Sequence, residues 1–355
     1  MKKTVAVQVL RRNAEKTRLF LSSHGFFLQG AKTKSSGDYV LFPINRKFDK
    51  KKFPELKGTS FSFTQDSFET TKKKSGDIKD FLQGKFSETE IDSVVKSFDL
   101  LGNAAIIEVP KELSKKEKMI AEALMHANHS VESVFKKTGA HSGVFRAEPV
   151  KLVAGKKTRF AYYRESGAVF RISLGEVFFS PRLSYERTRI SKLIKDGEVV
   201  AGLFAGVGPF PIVFAKNSGM SKSYAIELNP KAFEDLVENV KDNKVSDRVF
   251  PVLADVNEFV PKFIVGKCDR AVMPLPKGAE DFLEAAILSI KPSGGIVHFY
   301  GFVGKEDPYS KSLAKIKEVA KKLTRKVKIR FKRKVRDYSP DTIQIVIDFE
   351  IRANA

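Results

Sequence analysis

From Glu198 onward the chain repeats one pattern. The apolar runs EVVAGLF, KSYAIEL, VFPVLAD, RAVMPL and GIVHFY alternate with amphipathic stretches such as PKAFEDLVENVKDNK and AEDFLEAAILSI, and TIQIVIDF follows near the end. Alternation of strand and helix of this kind predicts a doubly wound α/β sheet, here with a late antiparallel strand. No other feature narrows the fold as far.

The first turn of that region is chemically informative. VVAGLFAGVGPFPIVFA (199–215) is a strand, a loop of small residues and an apolar helix. Gly206 and Gly208 let a ligand approach the backbone, with Phe204 and Ala205 leading into the loop. The spacing is not G-x-G-x-x-G, because Pro211 stands at the third glycine position, and this disfavours a dinucleotide. In AIELNP, Glu227 and Leu228 end the next strand, where an acid can accept from both ribose hydroxyls. Asn229-Pro230 reads as a helix cap. A third strand ends at Asp255, followed by Val256. A glycine loop followed by two strand-end acids outlines an adenosine pocket and suits S-adenosylmethionine. Taken singly, Glu227 is also readable as a solvated strand-end charge and Asp255 as a turn acid.

The segments before residue 198 differ. VAVQVL, the helix RRNAEKTRLFLSSHG and the strand GDYVLFPI form a small α+β unit, and the polar, charged TTKKKSGD (70–77) reads as a linker. SFDLLGNAAIIEVP gives a strand pair around Gly102-Asn103. A helix and the strand-like runs SVFKKTG, VKLVAG and RFAYYRESGAVFRIS follow. The expected domains are therefore 1–75, 76–180 and 181–355: two smaller α+β domains before a Rossmann-like one. SPRLSYERTRISKLI has helical periodicity behind Ser-Pro.

Charge then separates the function classes. The net charge is +22, and residues 1–80 hold 18 Lys and Arg against 8 Asp and Glu, a local +10. Such an excess points to a polyanionic partner and a dedicated nucleic-acid module. KVKIRFKRKVRDYSP (326–340) alternates apolar and basic residues like an edge strand with a cationic face, which either meets phosphate or blocks edge pairing. The single Cys268 excludes an internal disulfide and a cysteine-based zinc site, so no metal is expected, and this thiol reads as a small buried residue. No apolar run reaches the ~20 residues of a membrane span and no signal-peptide core follows the basic start, so a cytosolic chain is expected.

RRNAEKTRLFL with GDYVLFPI, SFDLLGNAAIIEVP, VFFSPRLSYERTRI, LFAGVGPFPI, AIELNP, GGIVHFY and KRKVRDYSPD together resemble the archaeal and eukaryotic tRNA (guanine-N1)-methyltransferases acting at tRNA position 37. The resemblance spans nearly the whole chain. It implies a class I methyltransferase domain using S-adenosylmethionine, a small domain recognising the outer corner of tRNA, a middle domain gripping the anticodon stem, and action as a monomer.

N1 of guanine is protonated at neutral pH and its lone pair belongs to the ring. The reaction therefore needs a base for that proton and a cation for the charge developing on O6. The resemblance assigns the base to Glu186 and the O6 cation to Arg146. The alternatives are a helix-surface Glu186 paired with Arg187 or Arg189, and a phosphate contact at Arg146. Arg182 and Arg187 are candidates for phosphate or the reacting base, or for a solvated helix face.

The run CDRAVMPLPKGA (268–279) departs from the family. Where the family presents Asn-Leu-Pro, this chain has Pro274-Leu275-Pro276, so only backbone carbonyls there can face the cofactor or base, with Pro276 and Lys277 at the lip of the pocket. The change motivates a second substrate, a wyosine-type derivative of the same nucleotide. A relative transferring an aminocarboxypropyl group typically lacks the small N-terminal domain, so residues 1–70 argue against it. A tRNA-binding protein without catalysis is the reading from a different class.

Overall fold

The computed structural model describes residues 3–28, 31–49, 53, 58–69, 78–95, 98–139, 149–275 and 277–353. The chain forms two compact units, Met1–Ser87 with His126–His129, and Glu88–Met125 with Ser130–Ala355. The linker expected at 70–77 lies outside the described residues.

In the first unit, strand β1 (Thr4–Leu10) lies between β3 (Tyr39–Pro43) and β4 (Phe61–Asp66), antiparallel to both, and β2 (Lys34–Ser36) extends the sheet beyond β3. Helix α1 (Ala14–Ser23) precedes Gly25, whose φ of +64° is the left-handed turn that glycine permits. The core packs Val7, Val9, Leu21, Phe42 and Ile44 with the rings of Phe20 and Phe26, and Phe48 and Phe53 close over them. Aromatic rings bury the most area per residue, which a unit this small requires. Helix α2 (Ile78–Leu82) follows.

The second unit begins with α3 (Glu88–Val95) and a hairpin, β5 (Phe98–Leu101) and β6 (Ala104–Ile107). Gly102 in its turn is obligatory, because a Cβ there would stand 1.8 Å from the Tyr162 carbonyl oxygen. Helix α4 (Glu117–Ala127) crosses to β7 (Ser133–Lys137), parallel to β6, and β8 (Val150–Gly155) pairs antiparallel with β7. The run 159–173 is a separate hairpin, β9 (Phe160–Glu165) and β10 (Ala168–Ser173). A short 3-10 turn, Pro181–Leu183, leads into α5 (Ser184–Ser191).

The remaining chain builds a seven-stranded sheet from β11 (Val199–Leu203), β12 (Lys222–Glu227), β13 (Val249–Leu253), β14 (Arg270–Met273), β15 (Gly295–Gly304), β16 (Arg325–Asp337) and β17 (Thr342–Ala353). The spatial order is β13-β12-β11-β14-β15-β17-β16; the first five strands are parallel and β17 runs antiparallel between β15 and β16. The connecting helices are α6 (Pro209–Asn217), α7 (Pro230–Asp242), α8 (Val256–Phe259), α9 (Leu283–Ser289) and α10 (Ser310–Lys322). Neighbouring residues divide between two cores, Val200 and Val272 on one face and Ala201, Leu203, Ala271 and Met273 on the other. Burial on both faces explains the continuous apolar runs. Cys268 is buried and free, with its thiol pushed up to about 12 by burial and then by Asp269. Among the described residues no helix is long and apolar enough to cross a membrane.

The β9–β10 hairpin would leave an open edge, and α7 closes it with side chains. Asp235 accepts from the Ser173 N–H (2.6 Å) and from Arg171 Nε (2.9 Å). Asn239 accepts from the Arg171 N–H (2.7 Å) and donates to the Arg171 and Val207 carbonyls, while Asn243 accepts from the Val169 N–H and donates to its carbonyl. Spacing of four puts all three on one helix face. Asn239→Ala strands a buried N–H and two carbonyls, and is expected to lower stability by about 2–4 kcal/mol, read by denaturant titration.

Candidate active site

The chain leaves β11 toward β12 and β13 on one side, and β14 and β15 lie on the other. A crevice opens at such a reversal, at the carboxyl ends of the strands. Phe204–Gly208 forms its floor. Phe204 has φ +56°, a strained conformation for an aromatic residue, and its ring meets Phe282 edge-on at 4.8 Å. Gly206 (φ +56°) and Gly208 (φ +93°) also need the left-handed region, and a Cβ on Gly208 would lie 2.6 Å from Leu236. Around Gly206 the only atom of the described residues near such a Cβ is the Phe178 carbonyl at 3.8 Å, so the loop leaves room for a ligand.

Several loop donors are already committed. The Gly206 N–H donates to Glu227 Oε2 (2.7 Å) and the Gly208 N–H to the Ala205 carbonyl, while Pro209 and Pro211 remove donors from the start of α6. A pyrophosphate would find few partners here, in keeping with the disfavoured dinucleotide. Glu227 Oε1 accepts from the Asn229 N–H (2.8 Å). Burial raises the pKa of Glu227 and these backbone donors oppose it. Each oxygen is oriented by one N–H and keeps acceptor capacity for a hydroxyl, so the donor set fits a ribose diol.

Asn229 caps α7, accepting from the Lys231 N–H. Asp255 caps α8 through the Asn257 N–H (2.7 Å). Its turn-acid role is thus present in the structure. Ala205 and Val256 are buried, Leu228 is exposed beside Glu227, and Pro274 is half-buried just past β14. Glu227→Ala removes both oriented acceptors, and is expected to weaken binding of S-adenosylhomocysteine by about 10–100-fold in calorimetry, about 0.7–1.4 kcal/mol per hydroxyl bond.

Glu186 stands in the first turn of α5, only 1% exposed. Its Oε2 accepts from Arg189 Nε (3.0 Å), Arg189 Nη2 (2.9 Å) and the Tyr300 hydroxyl (2.7 Å), and its Oε1 accepts from Arg333 Nη2 (2.6 Å). The Arg189 partner foreseen at i+3 is real, but the pair is buried and not a surface decoration. Arg189 is in turn bound to Asp348 (2.5 Å). Burial opposes ionisation of Asp348, yet its interactions with His298 and then with Arg189 outweigh it and hold the carboxyl below the usual carboxylate range. Tyr300 and Asp348 were not candidates on sequence, and Arg333 entered only within the basic run 326–340; the signal available was a polar residue inside GIVHFY and TIQIVIDF.

The basic candidates separate. Arg182 is 53% exposed and held by Asp99 (2.7 Å), so its far side can meet phosphate. Arg187 corrects the expectation of a substrate contact: it is 1% exposed, paired in two-pronged fashion with Glu165 of β9, and its guanidinium lies over the rings of Phe179 and Phe210. A cation enclosed this way holds α5 against the hairpin. Lys277 is exposed beyond β14. Arg146 and Pro276 lie outside the described residues.

A parallel sheet with one antiparallel strand beside its edge, a glycine loop and a strand-end carboxylate oriented for a nucleoside together define a class I methyltransferase domain. Residues 161–329 match the family described as the TRM5/TYW2 methyltransferase domain, 78–158 the TYW2 N-terminal domain and 6–52 the tRNA methyltransferase 5 N-terminal domain. The chain is 36% identical over 353 residues to the tRNA (guanine(37)-N(1))-methyltransferase Trm5b of Pyrococcus abyssi, covering 98% of this chain and 99% of that one. A crystal structure of wild-type Trm5b from Pyrococcus abyssi superposes with a TM-score of 0.71 at 34% identity, over 98% and 99% of the two chains. The complex of aTrm5 and tRNALeu gives 0.68 at 27%, over 99% and 100%. The tRNA 4-demethylwyosine(37)-methyltransferase Taw21 of Saccharolobus solfataricus is 30% identical over 263 residues, 73% of this chain and 94% of that one. The chain belongs to the TRM5/TYW2 methyltransferase family.

Proposed function

We propose that the protein transfers a methyl group from S-adenosylmethionine to N1 of guanosine at position 37 of tRNA. The observation that carries this reading is the full-length similarity to Trm5b, joined to a buried glutamate, Glu186, at the position the resemblance assigns to a base. When bound, the cofactor supplies a methyl group made electrophilic by its sulfonium. Phe204, Ala205, Gly206, Gly208, Leu228, Asp255, Val256 and Pro274 surround it in this reading, and Glu227 orients its ribose. Glu186 takes the N1 proton and Arg146 faces O6. Arg182, Pro276 and Lys277 meet the RNA.

The roles given to segments 1–75, 76–180 and 181–355 are outer-corner recognition, anticodon-stem grip and catalysis. The exposed lysines of β16 at the sheet edge add to the phosphate-facing surface. The protein is proposed to act as a cytosolic monomer.

A second reading is favoured by one residue. Pro274 carries no side-chain amide at the end of β14, and the similarity to Taw21 supports methylation of a wyosine-type derivative at the same position, in place of guanosine or besides it. Transcripts bearing G or A at position 37, incubated with labelled cofactor, separate the readings. Label on G37 RNA alone supports the first. Label appearing only on RNA carrying the tricyclic precursor supports the second, and tight binding without label leaves a tRNA-binding protein.

A further inference from the structure

The two oxygens of Glu186 are held unequally. Oε2 receives three donors, two from Arg189 and one from Tyr300, and its lone pairs are spent. Among the described residues, Oε1 receives Arg333 alone. The donors on Oε2 are fixed from behind, whereas the donor on Oε1 is not. Tyr300 is fully buried in β15 between β14 and β17, its ring near that of Phe210. Arg189 is fixed by Asp348, which accepts from His298 Nδ1 (2.7 Å). His298 Nε2 faces Arg270 Nη1 (2.7 Å), and Arg270 binds both Glu198 oxygens and the Leu193 carbonyl.

A guanidinium only donates, so His298 must accept at Nε2 and donate at Nδ1, which makes it neutral; its burial, lowering its pKa, agrees. The chain of partners is thus satisfied at every joint from Glu186 to Glu198. Arg333, in contrast, comes from the sheet-edge strand, is 32% exposed, and lies over the ring of Tyr185, itself 62% exposed.

Resting on the reading of Glu186 as the base, we infer that Tyr300 is a positioning residue, which with the Asp348-anchored Arg189 locks Oε2 so that Oε1 is the atom that receives the proton. In the step, the N1–CH3 bond forms as the S–CH3 bond breaks. The N1 proton moves to Oε1, and the sulfonium leaves as a neutral thioether. Tyr300 keeps its own proton throughout, since burial and then Glu186 hold the phenol well above 10. It stays bonded to Oε2 before and after transfer.

The test is the pH dependence of single-turnover methyl transfer at saturating tRNA, with a cofactor-free titration of Glu186 by carboxyl carbon-13 NMR, its signal assigned by absence in Glu186→Gln. Tyr300→Phe deletes a donor to the charged form. The rate is expected to fall about tenfold, with the rising limb and the NMR titration both moving to higher pH. The tRNA and S-adenosylhomocysteine affinities are expected to stay within about twofold.

Should Tyr300→Phe not fold, 3-fluorotyrosine at position 300, a stronger donor, is expected to move limb and titration to lower pH. A limb that persists in Glu186→Gln overturns the base reading itself. A limb abolished in Glu186→Gln but unmoved by both changes at Tyr300 overturns only the positioning role.

Discussion

Glu186→Gln is expected to slow single-turnover methyl transfer by about 10²–10⁴-fold, the range for losing a general base. Volume is nearly kept, and the change removes the negative charge and with it the capacity to take a proton. One consequence of burial accompanies it. The new amide nitrogen must face a guanidinium at one of the two oxygen sites, a clash of donors costing about 1–3 kcal/mol. Thermal melts read that term separately, and 1–3 kcal/mol leaves a domain of ordinary stability folded at 25 °C. Dissociation constants for tRNA and S-adenosylhomocysteine are expected to change little. A rate within threefold of the parent would remove Glu186 from the chemistry.

Glu165→Ala is expected to cost about 3–5 kcal/mol of stability, because it leaves Arg187 charged, enclosed and unpaired. The double change Glu165→Leu with Arg187→Met is expected to recover most of the loss, since a buried ion pair and an apolar pair of similar volume are often equivalent. Urea titrations of the parent, Glu165→Leu, Arg187→Met and the double variant close the cycle. If Arg187 held RNA, its substitution would weaken tRNA binding and flatten its salt dependence with little effect on the midpoint. The opposite pattern is expected.

Those two residues also show what a sequence can and cannot reveal. Glu186 and Arg187 are adjacent, one turn from solvent by periodicity, and nothing local tells which faces of so short a helix are covered. The answer lies in partners far along the chain: Tyr300 is 114 residues from Glu186, and Asp348 is 159 from Arg189. The contact between the glycine loop and the strand-end acid was legible because it is local. Gly206 and Glu227 are 21 residues apart, joined by one strand-helix-strand passage whose geometry the apolar pattern dictates.

The same contrast governs the fold. β11, β14 and the middle of β15 are near-continuous apolar runs because both faces are buried, and β16 alternates as an edge strand should. β4, FSFTQD, carries four polar residues in six and so gives no apolar signal. The run 159–173 reads as one extended piece, yet Ser166 and Gly167, with φ of +48° and +76°, fold it into a hairpin. The α7 ladder that closes this hairpin was invisible, since Asp235, Asn239 and Asn243 pass for an ordinary solvated helix face until β10 is placed against them.

The central claim concerns one atom, N1 of guanosine 37. Its direct test is to methylate a G37 transcript with cofactor carrying a deuterated methyl group, digest the RNA to nucleosides, and identify the labelled product by chromatography and mass fragmentation against authentic isomers. The account predicts that the label resides in 1-methylguanosine and is absent when residue 37 is adenosine. Label in another guanosine isomer, at another position, or only in a wyosine-type nucleoside would contradict it.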